Sequence, residues 1–201
     1  MKNLVVLIFI FLIQQTSISA DVWPPASIKV FKSDNGRFFL KVFPTIIPEN
    51  YYRWHMATAK RKSRFKEKDT TIVLCHAIFS KIEGNDTVEI WNKRLINSYS
   101  PVYVIIADDG RSIVTFDNWG NIGYGLDVMV IYNESGGLVR RYRLEDFSPF
   151  PINEYPMSIS SIYWRCWAKY LDNKSVEICF QPEKGEKKIR RYNLDILEFT
   201  D

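Results

Sequence analysis

Asp108, Asp109, Asp117 and Asp127 fall in one short stretch of the 201-residue chain, and aspartates are the residues here best able to do chemistry. Paired carboxylates carry out the acid and base steps of glycoside hydrolysis, provided the fold brings them across one cleft. Trp119 and Tyr124 stand between the last two, in the run DNWGNIGYGLD, residues 117–127. This run is too long for a minimal turn and too aromatic for a plain solvated loop. One reading is a ligand-facing loop, with Trp119 and Tyr124 as stacking surfaces and the aspartates as polar contacts. The other is a packed loop, in which the two rings cap a sheet end and Asp117 and Asp127 bind nearby backbone N–H groups. Placement separates them: four side chains lining one open pocket favour the first, and burial against backbone favours the second.

Other catalytic chemistry has little footing. His55 and His76 lack metal-ligand spacing to each other or to a carboxylate cluster. Cys75 and His76 are neighbours in an apolar strand, so they point to opposite faces and make a poor dyad. Cys75 reads as a small buried hydrophobe. There is no G-x-S-x-G and no phosphate-binding P-loop. Asp34-Asn35-Gly36 and Asp108-Asp109-Gly110 lack the alternating oxygen ligands of a calcium loop and read as turns. No metal or cofactor is called for, and the motifs point away from an enzyme. Lys60, Arg61, Lys62, Arg64, Lys66 and Lys68 form a dense basic run opposed only by Glu67. It reads either as a solvated hairpin tip or charged edge, or as an anion patch for lipid headgroups, acidic polysaccharide or an acidic protein.

Residues 1–20 read as a secretory signal peptide. Lys2 gives a positive start, LVVLIFIFLI an apolar run, and Ser17-Ile18-Ser19-Ala20 a cleavage site after Ser19 or Ala20. The apolar run is too short to span a bilayer, and no later segment approaches that length. The expectation is a protein exported to the periplasm or beyond. Losing Lys2 lowers the formal charge of +4 by one, leaving a mildly basic chain. Export argues against nucleic acid; the partner is left open, with another exported protein or an acidic surface as candidates.

Export also permits a disulfide. The stretch IYWRCWAKYLDNKSVEICF reads as a hairpin turning at Asp172-Asn173, which pairs Leu171 with Lys174. That register sets Cys166 opposite Cys179 in a non-hydrogen-bonded pair with Cα atoms about 4.5 Å apart. This lies within disulfide reach, so a Cys166–Cys179 bridge is expected.

Such chemistry must be positioned by strands. Aromatic residues make up 15% of the chain, which suits rings packing across pleats. VYVIIA and SIVTFD flank Asp-Asp-Gly-Arg, and VMVIY and LVRRYR flank a Gly136-Gly137 turn. Both pairs read as β-hairpins. Upstream, IKVFKSDNGRFFLKVF carries a turn, S-D-N-G-R, that matches A-D-D-G-R at 107–111. A Pro- and aromatic-rich connection at 44–56 follows. TIVLCHAIF (71–79) and TVEIWNKRL (87–95) are strands around Gly84-Asn85. Downstream of the connector FSPFPINEYP come the cysteine hairpin and a closing strand, KIRRYNLDIL. The ending R-R-Y-x-L-[ED], shared by 140–145 and 190–195, reads as marking two equivalent outer strands. Three β-meander units result, about 26–98, 101–147 and 158–199, in a single all-β domain, 21–201.

The S/A-D-[DN]-G-R turn followed by an apolar strand, and the S-I-S-S-I-Y-W start of the last unit, resemble blades of exported bacterial β-propeller-like repeat proteins. The resemblance implies radially arranged antiparallel meanders. Closed propellers need at least about four blades, so three units imply an open or incomplete propeller-like array, or pairing with another copy. A β-sandwich built from meanders is the alternative fold. No propeller family's site motif is present, so no site residue is carried over. The expected function is an exported, non-enzymatic binding or scaffold protein using the 117–127 loop and exposed strand edges. The alternative is a glycan- or anion-directed enzyme or lectin in which Asp117, Trp119, Tyr124 and Asp127 do the work.

Overall fold

The structure, a computed structural model, describes residues 23–48 and 72–200. The leader at 1–20, His55 and the basic run from Lys60 to Lys68 lie outside the described residues. Among the described residues, twelve strands form three four-stranded sheets. The first holds β1 (Lys29–Lys32), β2 (Phe38–Phe43), β3 (His76–Glu83) and β4 (Asp86–Arg94). The middle sheet holds β5 (Pro101–Ile106), β6 (Ser112–Asn118), β7 (Met129–Asn133) and β8 (Leu138–Tyr142). The last holds β9 (Arg165–Asp172), β10 (Ser175–Phe180), β11 (Lys188–Asn193) and β12 (Glu198–Thr200). Each is an antiparallel meander in chain order, and no strand joins one sheet to another. Among the described residues, short 3-10 turns at Leu144–Asp146 and Ile152–Glu154 are the helical elements. The fold is thus all-β, with three propeller-blade-like units in an open array. Among the described residues no helix is long and apolar enough to cross a membrane.

The first strands β1, β5 and β9 are neighbours, so they form the inside of the array. The fourth strands lie outside, and β4 and β8 are largely exposed. Strand periodicity explains the stacking, because alternate side chains leave opposite faces. Val104, Ile106, Ile113, Val130 and Tyr132 of the middle sheet pack on Phe38, Leu40, Val42, Ala77, Phe79 and Trp91 of the first. Their neighbours Ile105, Val114, Phe116, Met129, Ile131 and Tyr142 pack on Ala168, Val176, Ile178, Phe180 and Tyr192 of the last. A sheet buried on both faces needs apolar residues on both, which is why β5 to β7 read as near-continuous apolar runs, interrupted in β6 by Thr115, whose hydroxyl is bonded to Asn97. The first sheet buries one face and alternates, as in β2, where Lys41 is exposed between buried Leu40 and Val42. In the last sheet β10 is buried from Val176 to Phe180, because the Cys166–Cys179 disulfide and the ion pairs of Glu177 cover its second face.

The strand boundaries depart from the sequence expectation in four places. The cysteine hairpin turns one residue later, with Asp172 paired to Ser175. The Asp172 carboxylate accepts the Lys174 N–H at 2.7 Å, which places Asp172 at the head of the turn. Register shifts at Ser175/Val176 and Cys179/Phe180 then set Trp167, not Cys166, opposite Cys179. Cys166 is the extra residue of the second bulge. Its disulfide to Cys179 forms diagonally, with Cα atoms 5.3 Å apart. The two R-R-Y stretches are not in equivalent strands, since β8 is fourth in its sheet and β11 third. They resemble each other because Tyr142 and Tyr192 enter the same core, where their hydroxyls meet at 2.8 Å. Residues 158–164 begin no strand and make only bridges, Ile122 to Ser161 and Met157 to Ile162. The strand expected over 71–79 starts at His76, after an isolated bridge between Ile46 and Val73.

Candidate functional site

The 117–127 loop is built around its first residue. Asp117 has φ 60°, a left-handed conformation that Asp tolerates better than most residues. Its side chain is enclosed. Oδ1 accepts the Gly123 N–H at 2.9 Å and the Trp164 indole N–H at 2.8 Å. Oδ2 lies 3.5 Å from the Arg165 guanidinium, which rests over the rings of Tyr103, Phe116 and Trp164. Burial pushes the Asp117 carboxyl above the ordinary range, against the charge of Arg165 and the two N–H donors. The Ile162 N–H donates to the Ile122 carbonyl at 2.9 Å, so the loop is stitched to the chain that leads into β9.

The other three residues diverge from Asp117. The Trp119 indole N–H donates to the Pro24 carbonyl at 2.8 Å, and its ring meets Trp23 edge-on at 5.0 Å. The Lys29 ammonium sits 4.4 Å from that ring. An open cleft of about 370 Å³ lies there, with Tyr99 and Pro25 on its walls. The Tyr124 hydroxyl donates to the Ser158 carbonyl at 3.4 Å. Asp127 pairs with Arg141 at 3.3 Å, and burial raises its carboxyl despite that partner. The four residues do not line one cavity. Asp108 joins two sheets: its carboxylate accepts the Asn35 N–H, and its carbonyl the Asn35 side-chain amide, both at 2.8 Å. Cys75 is a buried free thiol, pushed up to about 12 by desolvation. His76, on the opposite face, stacks on Phe43 at 4.6 Å.

A larger opening lies elsewhere, in the seam between the middle and last sheets. It sits at the end where β5–β6, β7–β8, β9–β10 and β11–β12 turn. This groove encloses about 520 Å³. Asp109, Arg111, Lys174 and Asp195 supply charge to it. Ser112 and Asn133 are neutral and polar, and Ile131, Val139, Leu194 and Leu197 give apolar wall. Lys174 and Asp195 pair at 2.7 Å, and Arg111 lies 3.8 Å from Asp109. The Ser112 hydroxyl bonds the Tyr170 hydroxyl at 2.8 Å.

The corresponding place between the first and middle sheets is filled. The Phe38 ring lies on Gly110 so closely that a Cβ there would fall 2.4 Å from it. The Trp91 ring covers Gly136 in the same way, at 2.9 Å, and its indole N–H donates to the Glu134 carbonyl at 3.1 Å. Matching S-D-N-G-R-F to A-D-D-G-R-S puts Ser112 where the first sheet has Phe38. Ladder register does the same for the fourth strands: Leu40, Phe79 and Trp91 align across one sheet as Val114, Ile131 and Arg140 do across the next. Both fourth strands are shifted at that same point, leaving Ile90 and Val139 in matching bulges. A hydroxyl and a guanidinium thus replace two large rings, and the seam stays open.

Of the groove residues, sequence reasoning had singled out only Asp109. Aligning the two turns would have flagged Ser112. Lys174 and Asp195 need the stacking of the sheets, and the exposed Arg140, matched to Trp91, needs the ladder register. Chemically, the groove offers donors, acceptors and apolar wall together, with both charge signs at the rim. It holds no nucleophile–base pair. Among the described residues no three His, Cys, Asp or Glu side chains come together as metal ligands. No protein-family model, curated protein or solved structure matches the chain.

Proposed function

We propose that the protein is an exported, non-enzymatic binding module that holds a polar chain segment of a partner protein in the groove between its middle and last sheets. One observation carries this reading: a seam that Phe38 and Trp91 close on one side of the middle sheet holds an open groove on the other, where the register puts Ser112 and Arg140 at the matched positions. The mixed lining suits a peptide, whose backbone needs donors and acceptors and whose side chains need both charge signs and apolar wall. Export is supported by the leader-like 1–20 segment and by the Cys166–Cys179 disulfide. Enclosure of Asp117 speaks against the paired-carboxylate reading, because a catalytic carboxylate must reach its substrate.

The test is selection from a displayed peptide library. Enriched peptides should carry both an acidic and a basic residue. They should lose at least about tenfold in affinity, or 1.4 kcal/mol, when Arg111→Glu and Lys174→Glu are combined. Peptides that bind the double variant unchanged would remove the groove from the reading. A second reading, a glycan-binding lectin, is favoured by the exposed Trp23–Trp119 cleft. Glycan binding abolished by Trp119→Ala would establish it.

A further inference from the structure

We infer that two copies of this chain close into one ring of six sheets, the last sheet of each copy packing on the first sheet of the other. This does not rest on the ligand reading, since it concerns the two faces farthest from the middle sheet.

The far face of the first sheet is set by the ladder. Val30, Lys41 and Ile78 align on it, as do Lys32 with Phe39 and Phe43 with His76. Val30 is 54% exposed. The Lys32 and Lys41 ammonium groups lie 5.3 and 5.1 Å from the Phe39 and Phe43 rings, so lysine stems shield aromatic surface that none of the three described sheets covers. On the far face of the last sheet, Trp167, Cys179 and Ile189 align. Ile189 is 56% exposed, and Lys169 lies 5.2 Å over the Trp167 ring. Beside them Glu177 is held between Lys169 and Arg191.

The middle sheet shows what these surfaces are for. It has the same four-stranded order, and it buries both of its faces by stacking on a neighbour. Continuing that order past the last sheet requires the far face of another first sheet. Closed rings of this kind run from about four to eight sheets, so three cannot close alone and two copies give six. A two-fold rotation makes both new contacts identical, leaving no open end. With strands about 4.8 Å apart and about 20 Å long, each face spans roughly 380 Å². Two contacts then cover about 1,500 Å², inside the range of stable specific interfaces. The two faces together carry more cations than carboxylates, so apolar burial holds the contact and added salt should not dissolve it.

The test is the solution mass of the full chain as recovered from its expression host, by sedimentation equilibrium. Twice the chain's mass is expected, unchanged in high salt. Val30→Glu and Ile189→Glu, both at exposed positions, should each give a monomer with the strand signal of the parent in circular dichroism. Mixing the two variants should restore a weaker dimer, seen at high protein concentration, because one of the two contacts then pairs intact faces. A parent that stays monomeric at every concentration overturns the proposal. So does a dimer broken by only one of the two substitutions, which would mean like faces meet, and so does growth into open chains.

Discussion

The two seams of this protein use the same sheet geometry and end differently. Between the first and middle sheets, large rings lie on glycines: Phe38 on Gly110 and Trp91 on Gly136. Both glycines turn at positive φ, 73° and 74°, so the bare backbone serves the turn and the ring at once. Between the middle and last sheets, the matched positions hold Ser112 and Arg140, and a groove remains. The open seam is tied at its other end by the Asp117–Trp164–Arg165 cluster and along its length by the Tyr142–Tyr192 hydroxyl bond. Filling one seam and opening the other thus takes only a few side chains and leaves the backbone order unchanged.

The sharpest way to break the contrast is to empty the closed seam. Phe38→Ala and Trp91→Ala should each cost about 3–5 kcal/mol in denaturant titration. Arg140→Ala on the open seam should stay within about 0.5 kcal/mol. Equal losses at the matched positions would dissolve the comparison. The tie at the far end should be nearly as sensitive. Asp117→Ala strands the Arg165 charge and should cost about 3–5 kcal/mol.

The same carboxyl sets a pH dependence. Its folded pKa is raised above the unfolded value, so folding takes up a proton. Stability from this group therefore grows as pH falls from neutral through the raised folded value, and levels off below the unfolded value near 3.9. Asp127, raised for the same reason, adds to the slope. Asp117→Asn should flatten the denaturation midpoint measured between neutral and mildly acidic pH.

A smaller effect is expected at Ser112→Ala, which removes the partner of the half-buried Tyr170 hydroxyl and should cost about 1 kcal/mol. The smallest is at Cys75, where burial holds the thiol protonated. Alkylation at mildly alkaline pH should be negligible until the chain unfolds, and rapid labelling of the native protein would show that the first sheet opens locally.

Much of this architecture was legible in the sequence, because strands and turns are local. The Asp-Gly and Asn-Gly turns, the apolar runs of β5 to β7 and the cysteine pairing all follow from neighbouring residues. Register was less legible. The Asp172 side chain moved a turn by one residue, and two bulges then shifted the ladder. The 117–127 loop stayed open to two readings, because the partners that fix Asp117 include Trp164 and Arg165, far along the chain. The groove was hidden for the same reason: Ser112 meets Lys174 and Asp195 only once the sheets stack.

The most direct measurement places a photo-reactive amino acid at Val139, in the groove, and separately at its counterpart Ile90, beside the filled seam. The protein would be expressed in its own host and irradiated in intact cells. Covalent adducts to a partner protein at 139 and none at 90 are the predicted result. Adducts at 90 alone, or at both positions equally, would contradict the claim that the open seam is the binding site.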